Sequence, residues 1–158
     1  MRREFFCENV NKYRTQLYAI AFTILKNETD TEDAVCNAIL KAYEHLDELK
    51  EPGKFKAWLI TITRNEALQI IRKRLSLPGN EKVEALLGAS YDNHDELWDV
   101  VQNLKEEYRI VIVLYYYGEL SIKEIEEVLN IPIGTVKSRM NRGREMLKEL
   151  LEKKKGGM

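Results

Sequence analysis

Apolar residues recur at helical spacing along most of the chain. Val10, Tyr13, Leu17, Ile20–Ala21 and Ile24 fall on one face of a helix over about 8–25. A break at 27–31 follows. Thr29 and Glu32 have the spacing of a capping box, and Asp30 and Asp33 suit a helix start through the backbone dipole. The spacing predicts a second helix over about 31–46, apolar at Ala34–Val35, Ala38–Ile39, Ala42 and Leu46. Glu51-Pro52-Gly53 marks a loop. A third helix, about 55–74, has core candidates at Trp58–Leu59, Ile62 and Ile70. Its β-branched residues lower helix propensity, so tertiary packing must hold it. Phe55 and Trp58 read more readily as core than as base-stacking platforms.

Periodicity lapses over 75–93, where Leu77-Pro78-Gly79-Asn80 reads as a turn and 81–87 as a short helix. From Asp95 it returns, with Leu97, Val100–Val101 and Leu104 on one face. The stretch YRIVIVLYYY at 108–117 has the composition of a strand. No other stretch offers to pair with it, and a lone strand would leave its backbone groups unpaired. It is therefore read as a helix, ended by Gly118.

Ser121 and Glu124 then form a second capping-box pattern, ahead of Ile125 and Val128–Leu129 at helical spacing. Asn130 suits a left-handed helix end, and Pro132 suits the start of the next helix. In that last helix Val136, Met140, Gly143 and Leu147 share one side. Gly134, Ser138, Asn141 and Arg142 lie opposite, with Lys137, Arg139 and Arg144 on the flanks. Small, hydrogen-bonding and cationic groups near a helix N-terminus suit a DNA major groove. On spacing alone, an ordinary helical hairpin with a solvated basic face remains the alternative.

These patterns predict an all-α fold. Two small helical domains, 1–75 and 95–152, flank a linker over 76–94, with the helix-turn-helix at about 122–141. Hydrophobic content of 44% is enough for two packed cores, and charged content of 32% with few Gly and Pro favours helices over sandwiches. The net charge of -1 conceals a split. Acids concentrate over 28–51, and basic residues over 64–74 and 137–155. Such a chain can meet a basic protein with one surface and phosphates with others. The start has no long apolar run, so neither a signal peptide nor a membrane span is expected. Cys7, Cys36, His45 and His94 lack metal-ligand spacing, which argues against zinc and for reduced cysteines in the cytoplasm. There is no P-loop, no GxGxxG and no Ser/His/Asp grouping. No catalysis, cofactor, metal or small-molecule substrate is expected.

GTVKSR at 134–139, placed after SIKEIEEVLNIP, resembles the DNA-binding helix of bacterial sigma factors. The likeness is to the extracytoplasmic-function group of the sigma-70 family. DTEDAVCNAILKAYEHLDEL resembles that family's polymerase-docking helix, and FKAWLITITRNEAL the helix that opens and reads the -10 element. Together these stretches follow the family's order over most of the chain. Departures are Cys36 and Asn37 in place of the usual Gln-Glu, Gln69 in place of a common Asp, and Lys105 in place of a frequent Pro.

The resemblance implies a subunit that directs core RNA polymerase to promoters, in a stress or envelope response. It implies -35 contacts by Thr135, Lys137, Ser138, Arg139, Asn141, Arg142 and Arg144. It implies -10 contacts by Lys54, Lys56, Arg64, Asn65, Arg72 and Lys73, with the 47–54 loop. Polymerase docking falls to Asp33, Asn37, Ile39, Leu40, Tyr43 and Leu46. An anti-sigma factor, membrane-associated in many members, is a further implied partner. Rival readings are a conventional helix-turn-helix regulator binding duplex operators as a dimer, a nucleic-acid-processing enzyme, and a sigma-like decoy. The acidic second helix followed by the WL-containing basic helix argues against the first. The absence of a metal or nucleophile constellation argues against the second, and the GTVKSR face against the third.

Overall fold

The computed structural model describes residues 2–76 and 96–156. The turn and short helix expected over 77–93 lie outside them. Among the described residues all regular structure is helical, in seven α-helices and two 3-10 turns. The chain divides into two compact units, Met1–Ser90 and Tyr91–Met158.

In the first unit α1 (Arg2–Leu25), α2 (Glu28–Glu44) and α3 (Phe55–Leu75) each pack against the other two. The 3-10 turns Leu46–Glu48 and Pro52–Lys54 connect α2 to α3. Leu17, Ile20, Val35, Leu59 and Ile60 form the sealed centre, filled out by Ala21, Ala34, Ala38 and Ala67. Alanines on α2 let the other two helices approach closely. Phe55 anchors one end, edge-on to Phe5 at 5.4 Å and to Phe6 at 5.9 Å between ring centroids.

Three expectations need correction here. α1 begins at Arg2 rather than near residue 8, because Phe6 continues the buried face and the Arg2 guanidinium donates to the Leu46 carbonyl at 2.7 Å. The break before α2 is only Lys26–Asn27, with Lys26 left-handed at φ 56°. Asn27 is the cap: its Oδ1 accepts from the Asp30 N–H at 2.9 Å. Thr29 thus lies inside the first turn, and the Thr29–Glu32 box does not serve as the cap. The buried face of α3 is Leu59, Ile60, Thr63 and Ala67, whereas Trp58, Ile62 and Ile70 are only half-buried. Apolar residues surround this helix, so its sequence period does not select a face.

Two charged groups are drawn into this core. Asp30 at the start of α2 pairs with Arg74 in the last turn of α3. Glu66 is 8% exposed and accepts from Lys41 Nζ at 2.5 Å, pinning α3 to α2. Removing a partner strands a buried carboxylate, but Lys41 is half-exposed and water partly replaces it. Lys41→Met is therefore expected to cost about 2 kcal/mol, between the values for exposed and buried pairs. Adding Glu66→Leu should recover most of that, since an apolar pair can substitute for a buried ionic one. Urea denaturation of the single and double variants measures both.

In the second unit α4 (Glu96–Gln102), α6 (Ile122–Leu129) and α7 (Ile133–Gly156) all pack on α5 (Glu106–Tyr116). This surround explains the strand-like composition of α5. Val111, Ile112, Val113 and Leu114 are consecutive and all buried, so apolar, β-branched side chains are wanted on every side. The Arg109 guanidinium donates to the Leu104 carbonyl at 3.3 Å and sits near that of Gln102, satisfying the end of α4. Burial pushes its pKa down from the usual arginine value, and Glu106 opposes that shift. Gly118 ends α5, with its N–H donating to the Val113 carbonyl at 2.9 Å. Its smallness is required because a Cβ would lie 2.7 Å from the Leu114 carbonyl oxygen. The left-handed residue is its neighbour, Glu119, at φ 54°. Gly143 lets α7 approach α5: a Cβ there would meet Ile112 Cγ1 at 3.0 Å.

Candidate nucleic-acid interface

The helix pair α6–α7 is built from local signals. Ser121 Oγ accepts from the Glu124 N–H at 3.1 Å, and Glu124 Oε1 accepts from the Ser121 N–H at 2.9 Å. Asn130 ends α6 in the left-handed conformation, φ 55° and ψ 48°. Pro132 then opens α7 by accepting from the Thr135 and Val136 N–H groups at 2.9 and 3.1 Å. Val136, Met140, Gly143 and Leu147 all turn inward and are buried.

The opposite face of α7 is open. Gly134, Lys137, Ser138, Asn141 and Arg142 are exposed, and Thr135 and Arg139 are half-buried. Ser138 Oγ donates to the Thr135 carbonyl at 3.3 Å, a bond that a better acceptor can replace. Arg142 meets Glu145 at 3.2 Å, with both side chains more than half exposed. Such a pair is worth little in water and yields readily to a stronger acceptor. Arg144 differs. Its Nε donates to the Tyr116 hydroxyl at 2.9 Å, and its guanidinium lies 5.5 and 5.8 Å from the ring centroids of Tyr115 and Tyr116. Helical spacing put Arg144 on the flank without revealing this internal engagement.

In the first unit Asp33 and Asn37 are exposed on α2, with Ile39 half-buried beside them. Leu40 and Tyr43 are 61% and 50% exposed, side by side on the outer face of this 17-residue helix. Tyr43 is nevertheless fixed at its base, edge-on to Phe6 at 5.2 Å. Leu46 departs from this group, being buried at 8%. The physical reason is that Leu46 follows the buried Ala38 and Ala42 at helical spacing, so it continues the inward side of α2 rather than the side of Leu40 and Tyr43.

On α3 the cationic residues divide. Asn65, Arg72 and Lys73 are exposed, and Arg64 and Lys56 are half-buried. Lys56 Nζ lies 5.7 Å from the Tyr13 ring centroid. Lys54, in the preceding turn, is exposed and 3.9 Å from Glu51. Asn65 and Arg72 are seven residues apart and share a face with Trp58, Ile62 and Gln69. This stripe combines an aromatic ring, an aliphatic side chain, two amides and a cation on a partly open surface. Sequence reasoning assigned Trp58 and Ile62 to the core and missed the stripe. Its signal was the i, i+4, i+7, i+11, i+14 spacing of these five residues.

Among the described residues no group of His, Cys, Asp and Glu is placed to hold a metal ion. No described helix is long and apolar enough to cross a membrane. Residues 10–76 match the family Sigma-70 region 2, and residues 94–147 match Sigma-70, region 4. The chain is 33% identical over 165 residues to the ECF RNA polymerase sigma factor SigW of Bacillus subtilis (strain 168), covering 92% of this chain and 88% of that protein. It is 30% identical over 163 residues to the ECF RNA polymerase sigma factor SigE of Mycolicibacterium smegmatis, covering 92% of this chain and 61% of that one. Among solved structures, the sigma factor RpoE in complex with the anti-sigma factor NepR from Bartonella quintana superposes with a TM-score of 0.74 and 28% identity. That match covers 93% of this chain and 96% of the other. CnrH in complex with the cytosolic domain of CnrY follows at a TM-score of 0.67 and 26% identity, covering 93% and 87%. Helix order, the two matched regions and the near-full-length relative agree: the chain belongs to the extracytoplasmic-function group of sigma-70 RNA polymerase sigma factors.

Proposed function

We propose that this sigma factor divides promoter recognition between its two units. The open face of α7 reads a -35 duplex, and the outward stripe of α3 holds the melted -10 strand. The observation that carries the reading is the exposed face of Ser138, Asn141 and Arg142, flanked by exposed Lys137, opposite a fully buried stripe on the second helix of a helix-turn-helix. Duplex sequence is read best by a helix in the major groove. A melted strand instead needs apolar surface for unstacked bases and cations for phosphates, as Trp58, Ile62 and Arg72 supply. The exposed side of α2, with Asp33, Asn37, Leu40 and Tyr43, is assigned to core polymerase. Ile39 supports it, and Leu46 is withdrawn from the contact set and kept as core. The sigma factor family acts in initiation without enzymatic chemistry, and this chain is assigned no catalysis. It acts in the cytoplasm, where polymerase and promoter are. Because the solved relatives RpoE and CnrH are bound by the anti-sigma factors NepR and CnrY, an anti-sigma factor is proposed here too, tied to a stress signal.

The test is transcription by purified core polymerase with and without the chain, followed by sequencing of the transcripts. New start sites that share upstream elements are expected; unchanged starts would refute the reading. Within α7, base contacts carry preference and phosphate contacts carry affinity. Arg142→Ala is expected to relax preference at one -35 position by about 1–3 kcal/mol, the range for a bidentate base contact. Lys137→Ala should weaken all sequences alike and lower the salt slope by about one unit. Titration of intact and scrambled duplexes with both variants across a salt series separates these roles. The opposite pattern would rotate the base-reading face toward Lys137.

A further inference from the structure

The tip of α7 is capped by another helix. Pro132 precedes Ile133, the first residue of α7, and has no side-chain acceptor to offer. The Ile133 N–H is one of the donors that a helix start leaves without an intrahelical partner. Here it donates to Glu126 Oε2 at 3.0 Å, from the α6 helix seven residues earlier. A carboxylate on α6 therefore sits at the positive end of the α7 dipole. Around it Ile133 and Gly134 are exposed, while Glu126 itself is half-buried. In a helix-turn-helix the N-terminal residues of the second helix meet base edges, with phosphates on either side. A bare helix tip at that place would attract a phosphate whatever the sequence.

We infer that Glu126 is a specificity-determining residue: its carboxylate fills the anion-attracting tip of α7, so that sequence-independent phosphate binding there is suppressed. This rests on the reading of α7 as the -35 helix. In the base-read register the carboxylate faces base-edge amines such as cytosine N4, which it tolerates as donors. In a misread register it faces a phosphate and repels it. Glu126 thus widens the gap between right and wrong sequences by disfavouring the wrong ones.

The experiment uses reconstituted holoenzyme carrying wild-type, Glu126→Gln or Glu126→Ala chain. The probes are a duplex with the -35 element of a promoter mapped for this holoenzyme, and the same duplex with that element scrambled. Glu126→Gln keeps an oxygen for the Ile133 N–H and removes only the charge. It is expected to bind the scrambled duplex roughly three- to fivefold more tightly at low salt, the effect of removing one charge some 7 Å from a phosphate at a wet surface. The intact duplex should gain less, so preference falls, and the salt dependence on the scrambled duplex steepens. Thermal melting should fall slightly in Glu126→Gln, which keeps the acceptor but loses the charge at the helix start, and further in Glu126→Ala, which loses both. Equal changes on both duplexes, or none, overturn the inference. So does a Glu126→Gln chain that melts as early as Glu126→Ala, since Glu126 is then a cap and nothing more. If wild-type holoenzyme does not prefer the intact duplex, the reading of α7 itself fails and the inference goes with it.

Discussion

Leu40→Asp is expected to weaken binding to core polymerase by about 30-fold or more while leaving the first unit folded. Leu40 projects from α2 with 61% of its surface in water, so the free chain loses little by its replacement. A partner that covers it gains a full apolar side chain. Losing such a central contact costs about 2 kcal/mol or more, and a carboxylate in its place adds a desolvation cost. Tyr43→Ala should act in the same direction but less cleanly, because Tyr43 also packs edge-on to Phe6. Leu46→Ala supplies the contrast. Leu46 is buried, so its truncation should lower stability and affect polymerase binding only through unfolding. Anisotropy titrations of labelled chain with core polymerase, paired with urea melts, separate these outcomes. Undiminished affinity in Leu40→Asp would move the docking surface off this face of α2.

Much of this architecture is legible in local sequence, and the reason is physical. Ser121 with Glu124, Asn130 and Pro132 act within a few residues of themselves, so they specify the α6–α7 turn without reference to the rest of the chain. The inward stripe of Val136, Met140, Gly143 and Leu147 is legible for a related reason: α7 has one apolar face and no competing one. The α5 helix needed an argument about pairing, since Val111–Leu114 are buried all round and carry no period. What local signals leave out are contacts between elements. Asn27 displaced Thr29 as the α2 cap because Lys26 could turn left-handed one residue earlier. Arg144 is engaged by Tyr116, 28 positions away, and Glu126 reaches a helix it does not belong to. Helical wheels contain no information on any of these.

The face of α3 is the largest such correction, and it separates two aromatic residues that both read as core in the sequence: Phe55 stays there and Trp58 does not. Phe55 is 2% exposed and touches Phe5, Phe6 and Trp58, with ring centroids 5.4 to 5.9 Å apart. Phe55→Ala is expected to destabilise the first unit by about 3–5 kcal/mol, the usual cost of emptying a buried aromatic site. That is a large share of the stability of a small domain, so promoter binding and polymerase docking should fall together. Trp58 is only half-buried, tilted at 51° against Phe55 on the outward stripe. Trp58→Ala should cost a fraction of that, about 1–2 kcal/mol, for the apolar area it does cover. Its main effect is expected on promoter opening, because base stacking on an aromatic side chain is worth about 1–3 kcal/mol. The discriminating comparison uses a duplex promoter and the same promoter with its -10 region already unpaired. A residue that holds unstacked bases affects both, whereas a residue that only starts melting affects the duplex alone. Trp58→Ala should therefore bind the pre-opened template more weakly than wild type, at a temperature where both chains are folded. If instead Trp58→Ala melts as early as Phe55→Ala and wild-type affinity returns on cooling, Trp58 is core, and the melted strand must be held by Arg72 and the lysines instead.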